Sequence, residues 1–281
     1  MALTVRTNTA ALGAIKTLNR TQNSLSNSLS KISSGLRVNK AADDSAGLSV
    51  ATRQNSDNTS LEQAMRNTND GISMVQTAEG GLNEVYNILV RMRELAVQGA
   101  NATYNSGDRA AISKEFTTLA NEIKRIASVA NFNRTNLLSS TSTQFKLQVG
   151  IQKNADNKIV VNLASIAATW NALGLNGSNL AVSGITTLAR STTAISVIDT
   201  ALKSVNTSRS TLGSIQNRLE SALNEATNYS QNLQASASQI LDVDYAKESS
   251  NMTRFQIMQQ AGVAALGQAK ALPQSIISLL N

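Results

Sequence analysis

Residues 195–240 decide the fold of this chain; they read ISVIDTALKSVNTSRSTLGSIQNRLESALNEATNYSQNLQASASQI. Apolar side chains recur there at steps of three and four residues, from Ile195 and Ile198 to Ala237 and Ile240. Such steps place one narrow apolar stripe along a helix, which is the pattern of a coiled-coil seam. The sequence therefore predicts a long helix that packs against other helices.

The N-terminal end carries a matching stripe from Ala11 to Leu36, and a first helix is predicted there from about Thr7 to Gly35. Its members follow the same steps, with only Gln22 interrupting them: Ala11, Ile15, Leu18, Leu25, Leu29, Ile32 and Leu36. Most other positions there are Ser, Thr or Asn, whose side chains compete for the backbone and weaken helices. We therefore expect a helix with a long apolar seam but little stability of its own.

Composition favours long helices and argues against an enzyme. Hydrophobic residues make up 41% of the 281 residues but aromatic residues only 3%, so large core anchors are few. Pro273 is the only proline, and an interior proline costs a helix about 3 kcal/mol. Cysteine and histidine are absent, which excludes disulfides, thiol nucleophiles and imidazole bases. No catalytic residue, metal or cofactor is predicted, and no segment approaches the length of a membrane span.

The net charge of +7 raises nucleic acid as an alternative partner. Six basic residues and no acidic residue precede Asp43. They are spread singly along the chain, and no aromatic residue that could stack on bases precedes Tyr86. These scattered basic residues are better interpreted as part of a helix face that contacts solvent or another protein. A basic helical nucleic-acid-binding protein is the alternative from a different class, and a steep salt dependence of DNA affinity would identify it.

These patterns predict a mainly α fold, a long antiparallel coiled-coil-like bundle formed by the N- and C-terminal segments with a small central β-hairpin. Five parts are predicted. The N-terminal core helix (1–40) and the C-terminal core helix (249–281) pair with each other. Between them lie the N-terminal part of the bundle (41–138), a variable central segment with the hairpin (139–191) and the C-terminal bundle helix (192–248). The central segment is rich in Ser, Thr, Gly and Asn, so we expect it to face outward.

Element boundaries follow from turn signals. A second helical stretch is predicted near Ser60 with a weak point at Gly80–Gly81, and a turn at Asn105–Asp108 precedes a third, antiparallel helix that reaches Ala130. In the central segment, apolar residues alternate on both sides of a turn at Asn154–Asn157, which predicts the hairpin.

The later part of the chain contains two more predicted helices besides the long one. One short helix is expected around Trp170. The long C-terminal helix is interrupted near Leu241–Tyr245, and a last helix is predicted from about Ser249 to Ala271, with Pro273 ending or kinking it.

Two acidic pairs could suggest chemistry. Adjacent residues on a helix diverge by about 100°, so Asp43 and Asp44 are expected to cap the following helix rather than share a substrate. Asp242 and Asp244 lack the glycine and the terminal glutamate of a calcium-binding EF-hand loop.

Eight segments, in chain order, carry a specific family pattern: Asn8–Ala11, Ser33–Asn39, Ala42–Gly47, Arg91–Gln98, Asp244–Ala246, Ser250–Arg254, Gln259–Gly262 and Pro273–Leu280. Together they resemble the terminal regions of bacterial flagellins. The resemblance covers roughly Ala2 to Leu138 and Ile195 to Asn281, so it leaves only the middle unmatched. The chain is thus identified as similar to a short flagellin with a reduced central region.

This resemblance implies a structural subunit that self-assembles into the extracellular flagellar filament and serves swimming motility. It also implies export in unfolded form by the flagellar type III system, with an export chaperone and a filament cap as partners, and terminal helices that fold on polymerisation. No nucleic acid, cofactor or membrane span is implied. The alternative within the same machinery is a hook–filament junction protein, which shares flagellin-like termini and is made in only a handful of copies.

Two groups of residues are expected to make contacts. The core assembly seam is predicted to contain Leu18, Leu25, Leu29, Ile32, Leu36, Met252, Phe255, Ile257, Gly262 and Leu266. Arg91 and Leu95 lie four apart on one helix face, and Glu115 lies on the next helix. These three positions match those through which some flagellins bind Toll-like receptor 5, although contact with the next subunit is the better explanation of such a patch.

Overall fold

The computed structural model describes residues 7–138, 144–162 and 184–280. Helices occupy most of this part of the chain, so the predicted mainly α fold is confirmed. They are α1 (Thr9–Ser34), α2 (Ser45–Gly99), α3 (Ser106–Val129), α4 (Leu188–Leu241) and α5 (Tyr245–Leu280). The short helix expected around Trp170 lies outside the described residues. None of the helices in the described part has the length and hydropathy that would cross a membrane.

Between residues 131 and 162, the described part of the chain forms two small antiparallel ladders. Their strands are β1 (Asn131–Phe132) with β2 (Thr135–Asn136), and β3 (Gln144–Gln148) with β4 (Lys158–Asn162). A 3-10 turn, Ala155–Asn157, precedes β4. Phe145 pairs with Val161 and Leu147 with Ile159, so alternate apolar residues share one face of the second ladder. The predicted hairpin is confirmed.

Helix α2 begins at Ser45, so the predicted start near Ser60 was wrong. The Asp44 carboxylate accepts a hydrogen bond from the Gly47 amide at 2.8 Å and caps the helix, as expected. Asp43, which was also expected to cap it, instead accepts from residues that precede the helix. The glycines at 80 and 81 do not interrupt α2. A Cβ added to Gly81 would lie 2.7 Å from Leu138 Cδ1, so a larger residue there would require the Leu138 side chain to shift.

Helix α5 also begins earlier than predicted, at Tyr245 instead of Ser249. Asp244 caps it by accepting hydrogen bonds at 3.0 and 3.1 Å from the amides of the second and third residues that follow. The helix continues past Pro273 to Leu280, so the proline does not end it.

The chain divides into two compact units. The larger unit, Thr59–Ser230, has a hydrophobic core built from parts of α2, α3, α4 and the second ladder, with Leu89, Phe116 and Leu219 fully buried. The other unit comprises Met1–Asn58 and Gln231–Asn281 and contains α1 and α5.

In the unit that contains α1 and α5, the ends of two helices are held by backbone pairing. Gly35 ends α1 with a left-handed conformation, φ 72°. Its carbonyl accepts from the Val243 amide at 3.0 Å, and the Arg37 amide donates to the Leu241 carbonyl at 2.6 Å. Leu36, a predicted seam residue, lies in this connection and pairs with residue 242 across a β-bridge.

Candidate assembly surfaces

Helices α1 and α5 lie against each other in antiparallel orientation. Hydrogen bonds along the pair fix its register: from Asn8 to Ala269, from Gln259 to Gln22 and from Tyr245 to Ile32. Residue numbers rise along one helix as they fall along the other, so the first and last helices of the chain form one helical pair.

The inner face of α1 follows an unbroken repeat of three- and four-residue steps from residue 11 to residue 32. Its buried members are Ala11, Thr21 and Ser28. The predicted seam residues on this face are half-buried: Leu18, Leu25 and Ile32. Thr21 and Ser28 were not predicted to lie on this face, because only apolar residues were assigned to the seam. The unbroken repeat of three- and four-residue steps could have predicted that Thr21 and Ser28 lie on the inner face.

Polar groups therefore lie inside the helical pair. The Thr21 hydroxyl donates to the Thr17 carbonyl at 3.1 Å within its own helix. The hydrogen bond from Ser28 is the main cause that lowers the pKa of Glu248, and Lys31 adds a favourable charge. This carboxylate stays charged at neutral pH. Polar groups on this face leave less apolar area to hold the two helices together.

The inner face of α5 carries four predicted seam residues, all half-buried: Met252, Phe255, Gly262 and Leu266. Gly262 lies against Leu18, because a Cβ added to this glycine would be 3.3 Å from Leu18 Cδ1. The missing side chain lets α1 approach α5 closely.

A second set of apolar side chains on α1 and α5 is exposed. Leu29 is 56% exposed and Ile257 is 61% exposed, although both were predicted to lie in one seam with the others. Further exposed apolar residues on the two helices are Leu12, Ile15, Met258 and Val263. Exposed apolar groups of this size mark interaction sites when they share a surface. The predicted seam residues thus separate into an inner set and an outer set.

In the larger unit, Arg91 connects α2 to α3. Its guanidinium donates to Glu94 at 2.9 Å and to Glu115 at 2.9 and 3.1 Å, and these bonds raise the pKa of Arg91, the one to Glu94 most. The side chains of Arg91 and Glu115 are 52% and 48% exposed. Leu95 is 2% exposed and belongs to the core. The structure therefore brings Arg91 and Glu115 together on the surface without Leu95.

The remaining acidic residues singled out in the sequence have local partners. Asp43 accepts from the amides of Lys40 and Asn39 at 3.0 and 3.1 Å, and these hydrogen bonds lower its pKa. Asp242 accepts from the Ser238 hydroxyl at 2.6 Å. Within the described ranges, no three acidic, histidine or cysteine side chains are grouped to hold a metal ion.

Two family models match this chain. The model of the bacterial flagellin N-terminal helical region matches residues 5–143, and that of the bacterial flagellin C-terminal helical region matches residues 195–280.

Similar proteins over the full length are flagellins. Flagellin from Halalkalibacterium halodurans is 42% identical over 274 residues, which cover 98% of each chain. Flagellin A from Vibrio anguillarum is 32% identical over 381 residues, with 100% of each chain covered.

A crystal structure of Bacillus cereus flagellin is 33% identical, covers 57% of this chain and 88% of that chain, and has a TM-score of 0.49.

Proposed function

Because this chain belongs to the bacterial flagellin family, it is a structural subunit of the flagellar filament, and we propose that the outer faces of α1 and α5 join it to neighbouring copies. The filament that this family forms is extracellular and serves motility. One observation carries the proposal: each helix packs one face on its partner and still exposes large apolar side chains such as Leu29 and Ile257. In a helical polymer, one surface of each subunit binds a different surface of the next identical subunit, so the subunit must have surfaces free for such contacts.

We also propose that α1 and α5 become stably folded only on assembly. Ordering a residue costs about 1–2 kcal/mol of backbone entropy, and burial of a leucine returns about 1.5–3 kcal/mol. The half-buried leucines and polar groups of the inner face support only a weak helical pair in the monomer. Coupled folding would keep the chain extended during type III export, when an export chaperone and later a filament cap would be its partners.

Substitution of Ile257 by Asn is expected to raise the monomer concentration needed for filament growth about 10- to 100-fold, because one exposed apolar anchor loses its burial between copies. The measurement is the fraction of protein that sediments after growth from filament fragments. The matched control is Gln256→Asn, which changes the adjacent exposed position without loss of an apolar side chain. Equal growth of both variants would contradict the outer-face proposal.

We further propose that the exposed Arg91–Glu115 pair contacts the next copy in the filament. In free monomers, the same surface is then available to Toll-like receptor 5. The support is geometric: the ion pair holds two charged groups in fixed positions across α2 and α3, and half of each side chain remains exposed. Prealigned charges of this kind suit recognition by a partner surface.

Replacement of Arg91 by Ala is expected to weaken receptor signalling by monomers about tenfold. The fold should keep its stability to within about 1 kcal/mol, since exposed ion pairs contribute little. Arg125→Ala is the control, because Arg125 forms a similarly exposed pair with Glu122 within α3 at 2.7 Å. Cells that carry the receptor and a reporter supply the measurement, and equal signalling by both variants would refute the receptor contact.

The central segment, residues 139–191, is proposed to face outward from the filament. The family models leave residues 144–194 unmatched. The alignment with Vibrio anguillarum flagellin A spans 381 residues against the 281 of this chain, so that relative has residues without a counterpart here. Length differences are tolerated best in surface segments.

A further inference from the structure

We propose that Asn8 and Pro273 together form a register clamp between α1 and α5, in which Asn8 is the positioning residue. Asn8 uses both ends of its side-chain amide. Its Oδ1 accepts from the Ala11 amide at 2.9 Å and caps α1, while its Nδ2 donates to the carbonyl oxygen of Ala269 at 2.8 Å. One side chain thus joins the first turn of α1 to a backbone carbonyl of α5.

The carbonyl that Asn8 contacts is one that α5 cannot satisfy by itself. In an α-helix a carbonyl accepts from the amide four residues later, and Ala269 lies four residues before Pro273. Proline has no amide hydrogen, so the usual donor to Ala269 is missing. The Asn8 side chain supplies the missing hydrogen, and Ala269 is half-buried, where an unpaired carbonyl is costly.

The hydrogen bond from Asn8 to Ala269 specifies the register of α1 against α5, because the proline leaves a carbonyl without its helical donor at one position of α5. Pro273 is the only proline of the chain, so no other carbonyl of α5 loses its helical donor in this way. A shift of α1 by one turn would leave Ala269 without the Asn8 donor. The inference deepens the proposed function and rests on it, because the register decides which side chains of the pair remain on the outer face.

A mutant cycle isolates the clamp from the helix cap. Asn8→Asp keeps the acceptor that caps α1 but has no amide donor. Asn8→Ser is an uncharged variant that keeps a capping oxygen on a shorter side chain and also lacks the amide. Pro273→Ala restores a backbone donor for Ala269. The measured quantity is the critical concentration for growth from filament fragments, for the wild type, the single variants and each Asn8 variant combined with Pro273→Ala.

Each Asn8 variant is expected to raise the critical concentration about fivefold when Pro273 is present. In chains that carry Pro273→Ala, the same substitutions should change it less than about twofold, because the new amide replaces the lost donor. An equal loss in both backgrounds would overturn the clamp, since Asn8 would then act through the cap or through another contact.

Failure of the wild-type chain to elongate filament fragments would count against the filament function and not against the clamp. The cycle is then read from hydrogen exchange of the α5 amides in the full-length monomer in a stabilising osmolyte such as trimethylamine N-oxide, which favours the folded α1–α5 pair without neighbouring copies. Asn8→Asp should speed exchange around residue 269 in chains with Pro273 and not in chains with Pro273→Ala. Identical exchange in all four proteins would overturn the clamp independently of assembly.

Discussion

Removal of residues 249–281 is expected to abolish filament growth while the unit Thr59–Ser230 remains folded. The deletion takes away almost all of α5 and exposes the inner face of α1, including Leu18 and Leu25. Helix α1 is rich in Ser, Thr and Asn, so we expect it to lose its helical structure when its partner is removed. We expect no sedimentable filaments at concentrations at which the full-length chain polymerises completely.

The same truncated chain contains its own control for folding. The core of the larger unit receives no residue from the deleted segment, since Leu89, Phe116 and Leu219 all lie between residues 59 and 230. Thermal unfolding followed by circular dichroism should therefore show the cooperative transition of this unit in both chains. Loss of that transition would mean that the deletion unfolded the subunit and did not act on assembly.

Hydrogen exchange tests whether assembly folds the ends. Amides of α1 are expected to exchange rapidly in full-length monomers and in the truncated chain, and slowly in filaments, because only neighbouring copies cover the outer face. Amides of α3 should be protected equally in all three samples. Equal protection of α1 in monomers and filaments would refute the coupling of folding to assembly, although the filament function would stand.

Replacement of Phe116 by Ala is expected to destabilise the larger unit by about 3–5 kcal/mol. Phe116 lies on α3, is 0% exposed and belongs to the core that α2 and α4 share with α3. Loss of its ring removes apolar burial and leaves a cavity that the long helices can close only in part. This is a large fraction of the stability of an ordinary domain, about 5–15 kcal/mol.

Urea unfolding of monomers measures the effect of Phe116→Ala. The control is Val129→Ala on the same helix, where the side chain is 56% exposed and the expected change is within about 0.5 kcal/mol. Both variants leave the outer faces of α1 and α5 intact. A loss of less than about 1 kcal/mol from Phe116→Ala would contradict the burial of this ring in the core.

Local features of the structure were predictable because neighbouring residues produce them. The end of the connection before α3 was placed to within a few residues: Asn105–Asp108 was predicted as a turn but forms the cap and first turn of α3, which begins at Ser106. There the Asn105 and Asp108 side chains each accept from the other's backbone amide at 2.9 and 3.1 Å. The alternating residues of the second ladder likewise predicted a hairpin. In both places the interacting groups lie within a short stretch of sequence.

The start of α2 could not be predicted in this way. Residues 45–60 include several Ser, Thr and Asn residues, which are weak helix formers. In the folded chain, Ala51 is fully buried and the Gln54 side-chain amide donates to the Ser236 hydroxyl at 2.9 Å. Contacts with a segment far along the chain therefore stabilise a helix whose own propensity is low.

Long helices with apolar stripes at both ends of the chain were predictable, because the spacing of apolar residues and the absence of proline before residue 273 can be read directly from the sequence. The tertiary structure alone decided which stripe faces the partner helix. It buries Thr21 and Ser28 and exposes Leu29 and Ile257. Either face of α1 would fit the helical period of its sequence. The position of α5 decides which face is buried, and contacts between residues distant in sequence set that position.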